Sequence, residues 1–203
     1  MDSASASGTA VRLATKADAD ALAATLARAF LDDPVTSHLL PDPAARTKAL
    51  PRMFKLLFKL GLPHGACFVT SGYEAVTLWR PPNGWHVHLW DYIVNAPELL
   101  AVFGTNVLGV MDTMGRIEKL HPKTPHWYLQ TIGTDPAKQG KGYGGRILRS
   151  QLGVADAQRV PCYLESSKDT NLPIYQSFGF VVTGEIQIPN GPKLWPMWRE
   201  PPQ

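Results

Sequence analysis

The chain has 203 residues, 44% of them hydrophobic and 18% charged, a profile that fits a folded chain and excludes a disordered one. Its 20 basic and 17 acidic side chains leave a net charge of +3, too small an excess to mark a nucleic-acid partner. Cys67 and Cys162 are far apart with no C-x-x-C spacing, which excludes a disulfide scaffold or a cysteine zinc site and reads as two buried thiols in a reducing compartment.

The length predicts one domain over residues 11–199, with tails at 1–10 and 200–203. Met1–Ala10 is rich in Ser, Ala and Gly and has neither a basic start nor an apolar stretch, so it reads as a tail and not as a signal peptide. Leu99–Met111 is interrupted by Thr105 and Asn106 and is too short to span a bilayer. The expected protein has no membrane partner and is cytoplasmic.

Val11–Ala14 predicts a first strand, and Thr15 with Asp18 a capped helix start. Leu22, Leu26, Ala29 and Phe30 form a stripe at helical spacing that ends at Asp32-Asp33-Pro34. A second helix is predicted over Ala44–Leu60, kinked or restarted at Pro51. Cys67–Ser71 and Ala75–Trp79 read as a hairpin about Gly72-Tyr73. Arg80–Gly84 is a loop. Trp85–Leu120 reads as mostly helical, in two pieces broken near Pro97. The pair His86-x-His88 points two ways from a helix, so no metal site is expected.

Trp127–Ile132 is a β-branched and aromatic strand. Arg146–Ala157 reads as a helix, Cys162–Ser166 as a strand and Asn171–Phe178 as a short helix closed by Gly179. Phe180–Ile188 and Leu194–Trp198 read as a final strand pair. Strand–helix–strand implies a parallel crossover and the hairpins imply antiparallel pairs. The expected fold class is therefore mixed α/β, a mostly antiparallel twisted sheet flanked by helices.

Between Trp127–Ile132 and the following helix lies Gln139-Gly140-Lys141-Gly142-Tyr143-Gly144-Gly145. Glycines let a ligand approach the backbone, and a helix start offers free N–H groups and partial positive charge. Together they suit a pyrophosphate. Ala137–Ala155 carries Lys138, Lys141, Arg146 and Arg149 and no acid. The loop lacks the Lys-Ser/Thr pair of a mononucleotide P-loop and the G-x-G-x-x-G spacing of a dinucleotide loop.

Gln139-x-x-Gly142-x-Gly144 after a strand resembles the Q/R-x-x-G-x-G/A signature of the GCN5-related N-acetyltransferase (GNAT) superfamily. Asn171-x-x-x-Tyr175-x-x-x-Gly179-Phe180 is a second match, and the element order from Val11 to Arg199 fits as well. Within the superfamily the chain is most similar to puromycin N-acetyltransferase-like proteins. The shared features are Val11-Arg12-Leu13-Ala14-Thr15, Leu164-Glu165-Ser166, Asn171-Leu172-Pro173, and Gly191-Pro192 before Trp195. Asn83–Pro125 matches much less.

The resemblance implies acetyl transfer from acetyl-CoA, the expected cosubstrate, to a small-molecule amine such as an antibiotic or xenobiotic. It implies that Gln139, Gly140, Lys141, Gly142, Tyr143, Gly144 and Gly145 hold the pyrophosphate. The backbone of Ile132, Gly133 and Thr134 would pair with the pantetheine arm, provided the sheet splays there, with Gly133 at a bulge. Asn171 would touch CoA, and Tyr175, four residues on, would protonate the departing thiolate. Glu165 would take the amine's proton or bind its ammonium, with His126 the runner-up base. Trp79, Trp85, Trp90, Trp127 and Tyr128 would line the acceptor site or fill the core. Acetylation of a protein or peptide amine and a non-catalytic acyl-CoA sensor are the alternatives. Monomer and homodimer both remain open.

Overall fold

The structure is a computed structural model that describes residues 9–86 and 89–202. The elements, in chain order, are β1 (Val11–Leu13), α1 (Ala19–Ala29), α2 (Pro34–Leu39), α3 (Pro43–Gly61), β2 (Cys67–Thr70) and β3 (Ala75–Arg80). Then come α4 (Leu89–Val94), α5 (Ala96–Phe103), α6 (Val107–Leu120), β4 (Trp127–Thr134), α7 (Tyr143–Gln158) and β5 (Cys162–Ser166). The chain ends with α8 (Leu172–Gln176), β6 (Val181–Val182), β7 (Ile186–Gln187) and β8 (Lys193–Arg199).

The sheet order is β1-β2-β3-β4-β5-β8-β6, with β7 also on β8. Each of these pairs is antiparallel except β4–β5. This is the mixed, mostly antiparallel sheet flanked by helices that the sequence implies.

Apolar periodicity explains the layers. Leu22 and Leu26 of α1, with Leu50, Phe54 and Phe58 of α3, pack against Val69, Val76 and Leu78 on one sheet face. Leu148, Leu152 and Ala155 of α7 cover the other face with Trp79, Trp127, Leu129 and Leu164. Each fully buried Leu or Phe is worth roughly 1.5–3 kcal/mol. The central strand β3 is buried along its whole length because both faces are covered.

Several boundaries differ from expectation. Asp33-Pro34 is a helix start and not only a stop. Asp33 Oδ1 accepts from the N–H groups of Val35 and Thr36 at 2.9 and 3.1 Å, and Pro34 needs no N–H at the first position. Asp42-Pro43 starts α3 in the same way. That helix runs through Pro51 as one element. The 89–120 segment breaks into three helices, at Asn95 and at Gly104 (φ +54°), whereas Pro97 sits harmlessly in the first turn of α5. Trp85 and His86 lie outside helices, and His88 lies outside the described residues. β4 extends to Thr134, and α7 begins at Tyr143.

Thr9 and Ala10, expected within a tail, are held. The Ala10 carbonyl accepts from Ser71 N–H at 3.0 Å, and that of Thr9 from Arg146 at 3.1 Å. Nearby, the buried Asp18 carboxylate takes two bonds from Arg12 (2.8 and 2.6 Å), one from Tyr73 Oη (2.6 Å) and one from Thr15 N–H (2.7 Å). These donors hold its pKa far below the usual carboxylate range, with Arg12 the largest cause.

Candidate active site

β4 and β5 are in register at Trp127↔Cys162 and Tyr128↔Tyr163 and then part. Beyond Tyr128 the β5-facing edge of β4 has no ladder partner. A cleft of about 640 Å³ opens in the gap, walled by Leu129–Thr134 on one side and Leu164–Lys168 on the other.

The splay therefore sits where the sequence implies, but the bulge does not. Leu78 pairs with Thr131 and Trp79 with Leu129, which leaves Gln130 as the extra residue. Gly133 stays in regular register with Val76. Its role is close approach, because a Cβ there would lie 2.8 Å from Leu26 Cδ2 and 3.0 Å from Ala29 Cβ. Glycine lets α1 pack directly on β4.

The glycine loop closes one end of the cleft. Gly140 and Gly142 have φ of +76° and +77°, which disfavours any other residue. Gly142 precedes α7, and the first residues of that helix, Tyr143, Gly144 and Gly145, line the cleft. Asp135, just before the loop, is ion-paired with Arg28 through bonds of 2.9 and 2.7 Å. That partner also holds the Asp135 pKa below its ordinary value. The loop thus keeps its positive character, and Lys138 lines the cleft. These groups could hold a pyrophosphate. Lys141 is exposed and is not among the residues that line the cleft. The other residues expected at the cofactor, Ile132, Gly133, Thr134, Gln139, Gly140, Gly142, Tyr143, Gly144, Gly145, Asn171 and Tyr175, all line it.

Asn171 immediately precedes α8 but makes no side-chain cap bond, and Tyr175 follows one turn later. Tyr175 packs edge-on against Phe180. Its pKa is pushed up to about 12, mainly by burial and further by the charge of Asp33. The phenol is neutral at physiological pH and so has a proton to give. Asp33 lines the same cleft, and its second oxygen accepts a short bond from Ser167 Oγ.

Glu165 also lines the cleft, with its side chain 6% exposed. Its Oε1 is buried without a hydrogen-bond partner, and so is Oε1 of Gln130. His121 Nδ1 lies 3.4 Å from that Glu165 oxygen. His121 Nε2 meets His126 Nε2 at 2.9 Å. Burial is the main cause of the lowered His126 pKa. Burial, then the Glu165 charge, raises the Tyr128 and Tyr163 phenols.

Neither Gln130 nor His121 stands out in the sequence. Gln130 matters because of a bulge, and His121 because the end of α6 packs on the sheet. The expected aromatic lining is not there. Trp79 and Trp127 belong to the core under α7, and Trp90 is 70% exposed. Trp85 stacks on His121 at 3.8 Å between ring centroids, and Tyr128 meets His121 edge-on. None of the five lines the cleft.

Residues 101–200 match the model of the acetyltransferase (GNAT) domain. That segment is similar to the GNAT acetyltransferase domain. It is 29% identical over 195 residues to an uncharacterized N-acetyltransferase of Schizosaccharomyces pombe, a match covering 88% of this chain and 78% of that one. Over 77 residues it is 39% identical to the N-alpha-acetyltransferase RimI of Mycobacterium tuberculosis, covering 37% of this chain and 49% of that protein. The crystal structure of histone acetyltransferase HPA2 and related acetyltransferase from Corynebacterium glutamicum superposes with a TM-score of 0.73. Identity there is 28%, and coverage is 95% of this chain and 96% of that one. The protein is an N-acetyltransferase by class, and GNAT-fold proteins use acetyl-CoA. Among the described residues no helix is long and apolar enough to cross a membrane.

Proposed function

We propose that this GNAT acetyltransferase moves the acetyl group of acetyl-CoA directly to a primary amine of a small molecule, both substrates being bound at once. The observation that carries the reading is the pair of buried, donor-less oxygens, Gln130 Oε1 and Glu165 Oε1, on two residues of the cleft that also holds Tyr175. Leaving such an acceptor unpaired costs about 1–3 kcal/mol each. An ammonium or amine supplies the missing N–H donors.

In this reading the glycine loop holds the pyrophosphate and the free edge of β4 pairs with the pantetheine arm. Glu165 removes the amine's proton. The nitrogen attacks the thioester carbonyl, a C–N bond forms and the C–S bond breaks. Tyr175 gives its proton to the leaving sulfur. Asn171 positions the CoA chain. The single domain spans residues 11–199, and the enzyme works in the cytoplasm.

A small acceptor is favoured by what surrounds the far end. Val35 of α2, Ile117 of α6 and Ile186, Ile188 and Leu194 of the β7–β8 hairpin pack together. Gly191 in that hairpin lies against the His38 ring, where a Cβ would sit 2.9 Å from Cε1. The Asp33–Ser167 bond ties the start of α2 to the end of β5. These contacts tie α2, α6 and the β7–β8 hairpin together and, in this reading, support a compact acceptor over an extended peptide. The resemblance to puromycin N-acetyltransferase-like proteins supports an antibiotic or xenobiotic amine. A peptide N-terminus is the second reading, favoured by the partial likeness to an N-alpha-acetyltransferase.

Thiol release from acetyl-CoA against small amines and short peptides tests the choice. Faster turnover of a small amine supports the reading. Turnover confined to peptides overturns it in favour of the second.

A further inference from the structure

Past the end of β5 lies a second cavity, of about 400 Å³. It shares Ser167, Lys168 and Thr170 with the cleft, so the two meet along the chain that follows Glu165. Its apolar walls are Pro34 of α2, Pro192 of the β7–β8 hairpin and Trp195 of β8. Trp195 stands across from Ser166 in the β5–β8 ladder, one residue from Glu165. It is half-buried, yet it belongs to none of the hydrophobic clusters and stacks on no other ring among the described residues. The aromatic surface that faces this cavity is therefore not spent on the core. The walls are fixed in advance. Pro34 opens α2 behind the Asp33 cap, and Asp33 is also bonded to Ser167. The Pro192 carbonyl accepts from Ile188 N–H at 3.1 Å, and that of Gly191 from Gln187 Nε2 at 2.9 Å. Charge is balanced at the rim. Lys193 pairs with Glu185 at 2.7 Å, and Lys168 and Asp169 enter with opposite signs.

We infer that this outer cavity is a second subsite for the acceptor and that it takes an uncharged aromatic ring stacked on Trp195, which makes the acceptor an aryl-alkyl primary amine. The inference rests on the acetyl-transfer reading above and adds to it the part of the acceptor that does not react. The amine nitrogen reaches Glu165 in the cleft, a short alkyl chain passes Ser167, and the ring lies against Trp195 between the two prolines. A rigid apolar slot with no net charge gains from burying a ring and gains nothing from a second ammonium. Because Pro34 and Pro192 are already held in place, little ordering has to accompany binding. Trp195 is thus a specificity-determining residue that touches the acceptor and takes no part in the transfer of protons or of the acetyl group.

The test compares 2-phenylethylamine with n-butylamine as acceptors, for wild type, Trp195→Ala and Trp195→Phe. Wild type is expected to favour the aryl amine in kcat/KM by about tenfold or more, the worth of a buried ring. Trp195→Ala should lose about 3–10-fold of that preference through loss of stacking. The loss should appear as a higher KM for the aryl amine, with kcat and the constants for n-butylamine little changed. Trp195→Phe, which keeps a ring, should restore most of the preference. If acetyl-CoA affinity shows that Trp195→Ala does not fold, Trp195→Leu, which fills the space without a ring, is read in the same way. Equal use of the two amines by wild type, or an equal drop on both in the variant, overturns the subsite and leaves the acetyl-transfer reading standing. A wild-type enzyme that acetylates no small amine overturns the proposed function itself and the subsite with it.

Discussion

Tyr128 of β4 and Tyr163 of β5 are the last cross-strand pair before the two strands part. Their rings are 6.0 Å apart at the centroids. Beyond them β4 and β5 no longer pair with each other, and the cleft occupies the space between them. Both rings also touch His121, whose Nδ1 lies 3.4 Å from Glu165 Oε1, so the pair that ends the ladder also holds the neighbour of the proposed base. The opening of the sheet and the chemistry proposed for it are thus one packing arrangement.

Replacing Tyr175 by Phe removes the hydroxyl and keeps the ring against Phe180. Turnover is expected to fall about 10²–10⁴-fold while acetyl-CoA affinity changes little, as steady-state kinetics and calorimetric titration would show. Because the phenol's pKa is raised to about 12, the acid form persists up to that pH. A basic limb well below it therefore belongs to another group. Unchanged turnover removes Tyr175 from the mechanism.

Gly142→Ala places a Cβ on a backbone with φ +77°. The strain is about 1–2 kcal/mol, and relief by loop distortion is expected to weaken acetyl-CoA about 5–30-fold. Gly184→Ala, with no positive φ and no atom near the added Cβ, is the control and should bind as wild type does. Equal affinity for both variants contradicts the cradle.

Gly133→Ala acts on stability. The new Cβ would meet Leu26 and Ala29 of α1, an overpacking worth about 1–3 kcal/mol. At about 2–4 °C per kcal/mol for a chain of this size, the thermal midpoint should drop by several degrees. Calorimetry that shows no drop contradicts the close α1–β4 approach.

Asp18→Asn removes a buried carboxylate that is held ionised by Arg12. The folded-state pKa lies below the unfolded value of about 3.9. The stabilisation is therefore complete above that value and is lost as pH falls toward the folded-state pKa. Wild type should exceed the variant by about 1–3 kcal/mol from pH 5 to 8 in urea unfolding. The gap should narrow progressively below pH 4. A gap that widens in acid contradicts the assignment.

The parts of the site made of local chain were legible in the sequence. Gly140 and Gly142 announce positive φ, and the Asn171–Tyr175 spacing announces one helix face. The strand–loop–helix order around them implies a parallel pair, and β4–β5 is one. What depends on tertiary packing was not legible. His121 gains its place only when the end of α6 reaches the sheet, beyond any pattern in a 32-residue helical stretch (89–120). Gln130 is special only through a register shift in its partner. α2 is too short to show a period, so Asp33 read as a terminus and its place in the cleft was hidden. Tryptophan content cannot tell a pocket from a core, and Trp79 on a strand covered on both faces is core.

The most direct measurement is thiol release from acetyl-CoA by the purified full-length protein, with small primary amines and short peptides as acceptors and mass spectrometry of the products. The expected result is a new N-acetyl group on a small amine, formed faster than on any peptide and lost in Tyr175→Phe. Bound acetyl-CoA with no amine acetylated, in a panel that includes puromycin, aminoglycosides, polyamines and aryl-alkylamines, would contradict it.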